Sequence, residues 1–167
     1  MDHVAIMNRT WKLIEKILSG RKTVESRWYK ARAPPWNRLN KGDIVYFKDA
    51  GEKVTARAEV SDVMQFENLT EDKIKSLIKE YGGEGKICFS SPQSAFEWAK
   101  GKKYCILAFL KNPLEIEPFD VDKSGFGNAC AWMCAGDINK VKAKRKNPEL
   151  KKRLNKEIFL FFRGNMF

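Results

Sequence analysis

Over residues 53–63 apolar and polar side chains alternate, with Val54, Ala56, Ala58 and Val60 on one side and Thr55, Arg57 and Glu59 on the other. That period of two predicts a half-exposed antiparallel strand. Elsewhere the spacing is helical. Trp11, Leu13, Ile14, Ile17 and Leu18 recur at helical intervals behind Thr10, a candidate N-cap, and Gly20 supplies the exit. Ile74, Leu77, Ile78 and Tyr81 make a second stripe, opened by Thr70 with Glu71 and Asp72 in its first turn and closed by Gly82 and Gly83. A third helix carries Phe96, Trp98 and Ala99, capped by Ser91 or Ser94, and ends before Gly101. The short apolar runs 4–7, 44–47 and 104–110 predict strands. Pro113 and Pro118 flank residues 114–117, which therefore read as an edge strand or an extended crossing. Paired prolines at 34 and 35 make residues 29–40 a loop.

The stretch that leaves the first helix, residues 22–28, reads as a strand with unusual chemistry. On a strand Thr23, Glu25 and Arg27 share one face and Val24, Ser26 and Trp28 the other. A cation, an acceptor and a donor held side by side can read a planar polar group such as a base edge, or can perform acid–base chemistry. A second unusual stretch, residues 124–132, is a glycine-flexible turn running into small residues and Trp132. Its Asn128 has an amide able to read a base edge, although Asn after Gly also serves turns. This return is expected to face the 22–28 strand.

Length and charge narrow the class. A chain of 167 residues and 19.3 kDa suits one domain with a real core. Lys+Arg of 32 against Asp+Glu of 21 leaves a net charge of +11, which favours polyanions, nucleic acid before membrane surface. The cations concentrate in residues 137–153, where Lys144, Arg145 and Lys146 form the densest run on one or two short helices broken at Pro148. That run is either a solvated face or an RNA-backbone contact. Residues 157–163 are expected to close the chain as a strand.

The longest apolar run, residues 158–162, is far below the roughly 20 residues of a membrane helix, so no membrane partner is expected. Four cysteines without a paired disulfide spacing, and no secretory signal ahead of them, make the cytoplasm the expected compartment. Cys130 and Cys134 lie four apart, but with His3 as the lone histidine they make no metal set, and neither a metal nor a cofactor is expected.

Gly20, Lys22, Glu25 and Arg27 match the G-x-K-x-x-E-x-R signature of the activating-signal-cointegrator homology (ASCH) domains, a branch of the PUA-like β-barrels. The preceding amphipathic helix, the Gly42-Asp43 turn and the return from Phe126 to Trp132 also resemble that layout, over roughly residues 3–135. The resemblance implies an α+β fold, a PUA-like mostly antiparallel β-barrel with flanking helices. With the basic run and closing strand beyond it, the chain is expected to divide into an ASCH/PUA-like domain, 1–135, and a basic C-terminal helical extension with a closing strand, 136–167, packed on the same domain.

The resemblance also implies a cleft lined by the motif that binds RNA or a modified nucleobase. Lys22 and Arg27 would meet phosphate or base acceptors, Glu25 would accept from an exocyclic amine, and Thr23 would support them. Trp28 and Trp132 are candidates for stacking on a base, as are Trp36 and Phe126. Arg32, Asn128, Lys144, Arg145 and Lys146 complete the expected nucleic-acid contacts. Some relatives are small amidohydrolases acting on acetylated cytidine, in which a Lys near this motif activates a Thr three positions later. Lys22 matches that Lys, Glu25 stands where the Thr would be, and Thr23 is at another spacing. Binding is therefore the first reading. The alternative is a nucleoside amidohydrolase or ribonuclease using Lys22 with Thr23 or Glu25. A protein-interaction module built on the basic tail is a third.

Overall fold

The structure, a computed structural model, describes residues 1–127 and 129–143. Its centre is a six-stranded mixed sheet curled into a half-barrel, in the order β2-β5-β4-β3-β1-β6. The strands are β1 (Asp2–Met7), β2 (Val24–Tyr29), β3 (Ile44–Asp49), β4 (Val54–Phe66), β5 (Tyr104–Phe119) and β6 (Trp132–Gly136). Only β1 and β3 run parallel; the other four pairs are antiparallel. The helices are α1 (Leu13–Leu18), α2 (Glu71–Tyr81), α3 (Pro92–Ala99) and α4 (Ile138–Val141).

The alternation in β4 does what its period predicts. Val54, Ala56, Ala58 and Val60 are buried and the residues between them are half-exposed. Ala56, Ala58 and Val60 pack with Ala5, Val45, Phe47 and α1's Ile14 and Ile17 in the barrel interior. The small alanines leave room there for α1. On the other face of the sheet, α2 and α3 lay Ile74, Leu77, Ile78, Ala95 and Ala99 against Val24, Trp28, Cys105 and Leu107. α4 adds Ile138 and Val141 to a third cluster with Val4, Val54 and Met133.

Local signals hold in detail. Thr70 caps α2 by accepting from the Lys73 N–H, and Ser91, rather than Ser94, caps α3 by accepting from the Ser94 N–H. The helical stripe that begins at Trp11 is interrupted. Residues Arg9–Trp11 form a 3-10 turn capped by Asn8, and Lys12 takes a left-handed conformation (φ 49°) before α1 starts at Leu13. Thr10 is therefore inside that turn and donates to Asn8 instead of capping a helix. β5 runs unbroken through Pro113 and Pro118. β2 pairs with it only from Tyr104 to Phe109, so both prolines fall where β5 has a partner on one side alone.

Residues 144–167, with the basic run at Lys144, Arg145 and Lys146, the Pro148 break and the expected closing strand, lie outside the described residues, as does Asn128. Among the described residues no helix is long and apolar enough to cross a membrane. No group of three metal-ligating side chains occurs among them either. All four cysteines are free thiols.

Candidate functional site

The site begins at a chain reversal. Gly20, in the left-handed region (φ 74°), turns the backbone after α1 so that the Lys22 N–H can donate to the Lys16 carbonyl at 2.9 Å. β2 then starts at Val24. Its alternation sends Val24 and Trp28 into the α2/α3 core and leaves Glu25 and Arg27 on the opposite face. A cleft of about 740 Å³ opens there, between the turn ahead of α1 on one side and residues 87–98 on the other. Lys22, Glu25, Ser26, Arg27, Trp28 and Tyr29 all line it.

Lys22 and Glu25 are buried, only 3 and 4 % exposed. The Lys22 ammonium donates to the carbonyls of Val24 (2.7 Å) and Ile87 (3.1 Å) and lies 3.2 Å from Glu25 Oε2. It thereby ties β2 to the segment after α2, where the N–H groups of Ile87 and Cys88 donate to the Tyr81 and Gly83 carbonyls. Burial pushes the Lys22 pKa down, against the pull of Glu25. On the other side of the carboxylate, Arg27 Nε stands 2.9 Å from Glu25 Oε1. Glu25 is held between two cations.

These short contacts are ion pairs more than aligned hydrogen bonds. Glu25 Oε2 and Arg27 Nε are both buried with no hydrogen-bond partner of good geometry, and so is Trp28 Nε1. Three of the five such atoms among the described residues thus belong to one face-and-edge of β2, beside the cleft. The first two of these atoms are nonetheless held in the Lys22–Glu25–Arg27 ion pairs, at 3.2 and 2.9 Å, so of the three only Trp28 Nε1 is without a polar partner.

Arg27 has a second task. Its Nη1 donates to the carbonyls of Ala131 (3.1 Å) and Ile6 (3.3 Å), and Nη2 reaches Ile6 O (3.4 Å) and Met7 Sδ (3.3 Å). β2 is one end of the sheet order, and Ile6 and Ala131 sit where the β1–β6 ladder ends at the other. The guanidinium closes that seam. It also lies 5.0 Å from the centre of the Trp132 ring.

The other expected residues are distributed less compactly. Trp132 is buried beneath Arg27, with its indole N–H donated to His3, so no open ring face meets the cleft. The expected approach of the 126–132 return to β2 is made at Ala131 and Trp132, through Arg27, while Phe126 packs in the α4 cluster. Thr23 precedes β2, is absent from the cleft lining, and gives its hydroxyl to the Gly85 carbonyl. Arg32 pairs with Glu67 at 2.7 Å and covers Trp36 and Tyr104, outside the cleft.

Two aromatic residues that the sequence suggested only as helix-face residues stand at the cleft mouth instead. Trp11 is 46 % exposed and Trp98 40 %. The interruption of the first helical stripe turns Trp11 outward. α3 packs through its small Ala95 and Ala99, which leaves Trp98 on the flank. Lysines 16 and 102 and serines 90 and 94 complete the rim.

A mixed half-barrel with a parallel β1–β3 pair, helices on its faces and a cleft beside one terminal strand matches the ASCH/PUA-like fold. Within it the chain has the ASCH fold. The crystal structure of ASCH from Zymomonas mobilis aligns with a TM-score of 0.60 at 16 % identity, covering 86 % of this chain and 96 % of that one. Two mutant ZmASCH structures from the same organism align with TM-scores of 0.58 and 0.56 at 17 and 16 % identity, each over 92 % of this chain and 96 and 95 % of theirs. No protein-family model matches the sequence, and no curated protein matches it significantly.

Proposed function

We propose that this protein binds RNA by taking one nucleobase into the cleft over Glu25. The observation that carries the reading is the ion-paired row Lys22, Glu25 and Arg27 lining a cleft of about 740 Å³ whose other charged side chains, Lys16 and Lys102, are cationic. A base edge that presents an amino or imino donor next to a ring acceptor complements them, and a carboxylate accepts well from an exocyclic amine. The net charge of +11 supports a polyanionic ligand. The expected backbone contacts at Lys144, Arg145 and Lys146 remain part of the proposal.

The test is fluorescence anisotropy with short single-stranded RNA at fixed salt. Glu25→Gln removes the charged acceptor, and Ser90→Glu places an acid on the exposed rim without touching the buried ion pairs. Each variant is expected to weaken binding by roughly tenfold, in line with the loss of one charge-assisted hydrogen bond or phosphate contact. Circular dichroism establishes that both are folded. Unchanged affinity in both folded variants would overturn the reading.

A further inference from the structure

The cleft has more recognition surface than one base over Glu25 needs. The described residues expose four large apolar side chains, Met1, Trp11, Trp98 and Leu114, and two of them converge on this mouth. Their ring centres lie 6.2 Å apart at 81°, an edge-to-face arrangement that cannot sandwich a single base between parallel planes. Trp98 is held in place from behind by Trp28 at 6.4 Å and Phe89 at 6.3 Å. It is a fixed shelf rather than a loose side chain. The charges beside it have one sign: the ionic side chains lining the cleft are Lys16, Lys22, Arg27 and Lys102 against Glu25 alone, and Glu25 is already matched by Lys22 and Arg27. Lys16 and Lys102 remain for an anion, with Lys102 Nζ 5.7 Å from the Trp98 ring centre.

Building on the RNA-binding reading, we infer that Trp98 and Trp11, with Lys16 and Lys102, form a second nucleotide subsite. It takes the base next to the one over Glu25 and the phosphate that joins them. The ligand is then a strand of two or more nucleotides, and a free nucleoside or mononucleotide fills only the inner half. The aromatic shelf supplies a stacking face that tolerates any base, so this subsite adds affinity without sequence preference.

The experiment compares ribonucleoside monophosphates, dinucleotides and tetranucleotides by quenching of tryptophan fluorescence and by competition against a labelled strand. Dinucleotides are expected to bind roughly tenfold or more tighter than the matching monophosphates. Trp98→Ala should remove most of that difference while leaving monophosphate affinity unchanged, and Lys102→Glu should weaken the dinucleotide with a shallower salt slope. Lys102→Glu keeps the aromatic packing intact and serves if Trp98→Ala fails to fold. Equal affinity for monophosphate and dinucleotide overturns the second subsite and leaves the inner site standing. So does a Trp98→Ala loss that falls equally on both. Binding that ignores nucleotides altogether but captures an apolar peptide, or no binding by any nucleotide, overturns both proposals.

Discussion

The indole N–H of Trp132 donates to Nδ1 of His3 at 3.2 Å, and that one bond fixes the imidazole in a single tautomer. With Nδ1 an acceptor, the ring proton sits on Nε2 and points at Asp43 Oδ2, 3.1 Å away. His3 is fully buried at the β1–β6 pairing, so this chain of contacts lies inside the half-barrel. Protonating Nδ1 would set one donor against another.

Stability should therefore fall as the pH drops below about 6.5. Burial pushes the His3 pKa down, although the hydrogen bond to Asp43 and the charges of Asp43 and Asp2 pull the other way and the terminal ammonium adds to the lowering. Between the lowered value and 6.5 the unfolded chain binds more protons than the folded one, so stability rises with pH across that window and is lost on acidification. Asp43 adds a second loss further down. Burial raises its pKa, but the terminal ammonium, the Asn40 N–H and His3 outweigh that and leave it below 3.8. Urea midpoints from about pH 7.5 to about pH 5 should show the first loss, and His3→Gln should flatten it.

Lys22→Ala should destabilise the fold strongly. It strips the Val24 and Ile87 carbonyls of a donor and leaves Glu25 buried with Arg27 alone. Breaking a buried pair by removing one partner costs ~3–5 kcal/mol. Thermal melting would check this, and a melting point within a degree or two of the parent would contradict it. Affinity measured on this variant reports folding before it reports ligand contact, which is why Ser90→Glu, on the exposed rim, is the better probe of the site.

Arg27→Lys should also cost stability, by ~1.5–3 kcal/mol, because a lysine ammonium cannot fork between two carbonyls while facing Glu25. The loss should be localised. Amide hydrogen exchange of Ile6, which donates to Ala131 O at the end of the β1–β6 ladder, should speed up more than that of β4 amides such as Ala58.

Thr23→Ala should leave RNA affinity unchanged and lower stability by only ~0.5–1.5 kcal/mol, the net worth of its bond to the Gly85 carbonyl. The same variant separates binding from the hydrolytic alternative. If acetylated cytidine or labelled RNA is consumed by the parent and spared by Thr23→Ala, the hydroxyl is a nucleophile and binding is not the whole function.

What the sequence made legible was local. Thr70, Ser91 and the alternation of β4 speak through contacts a few residues long, and they give α2, α3 and β4 directly. The proline-containing half of β5 was ambiguous because a one-sided ladder and an extended crossing tolerate proline equally well. The site was legible in composition and not in geometry. Lys22, Glu25 and Arg27 do meet, yet Arg27 also spends its Nη donors on Ile6 and Ala131, the latter 104 residues away, and no periodicity reports such a partner. Trp11 and Trp98 look like core residues in a helical stripe. Only the 3-10 turn at Arg9–Trp11 and the alanine face of α3 turn them outward.

Because Arg27 clasps the two ends of the sheet with the same guanidinium that faces Glu25, the proposed ligand capture and the opening of the barrel would be linked equilibria. A ligand group that draws Arg27 toward the cleft must loosen the clasp, and by reciprocity whatever tightens the clasp weakens that grip by the same factor. A ligand that uses Glu25 and Trp28 while leaving Arg27 in place escapes the linkage. The melting temperature of the complex, set against its affinity, would then tell the two kinds of ligand apart without any view of the bound state.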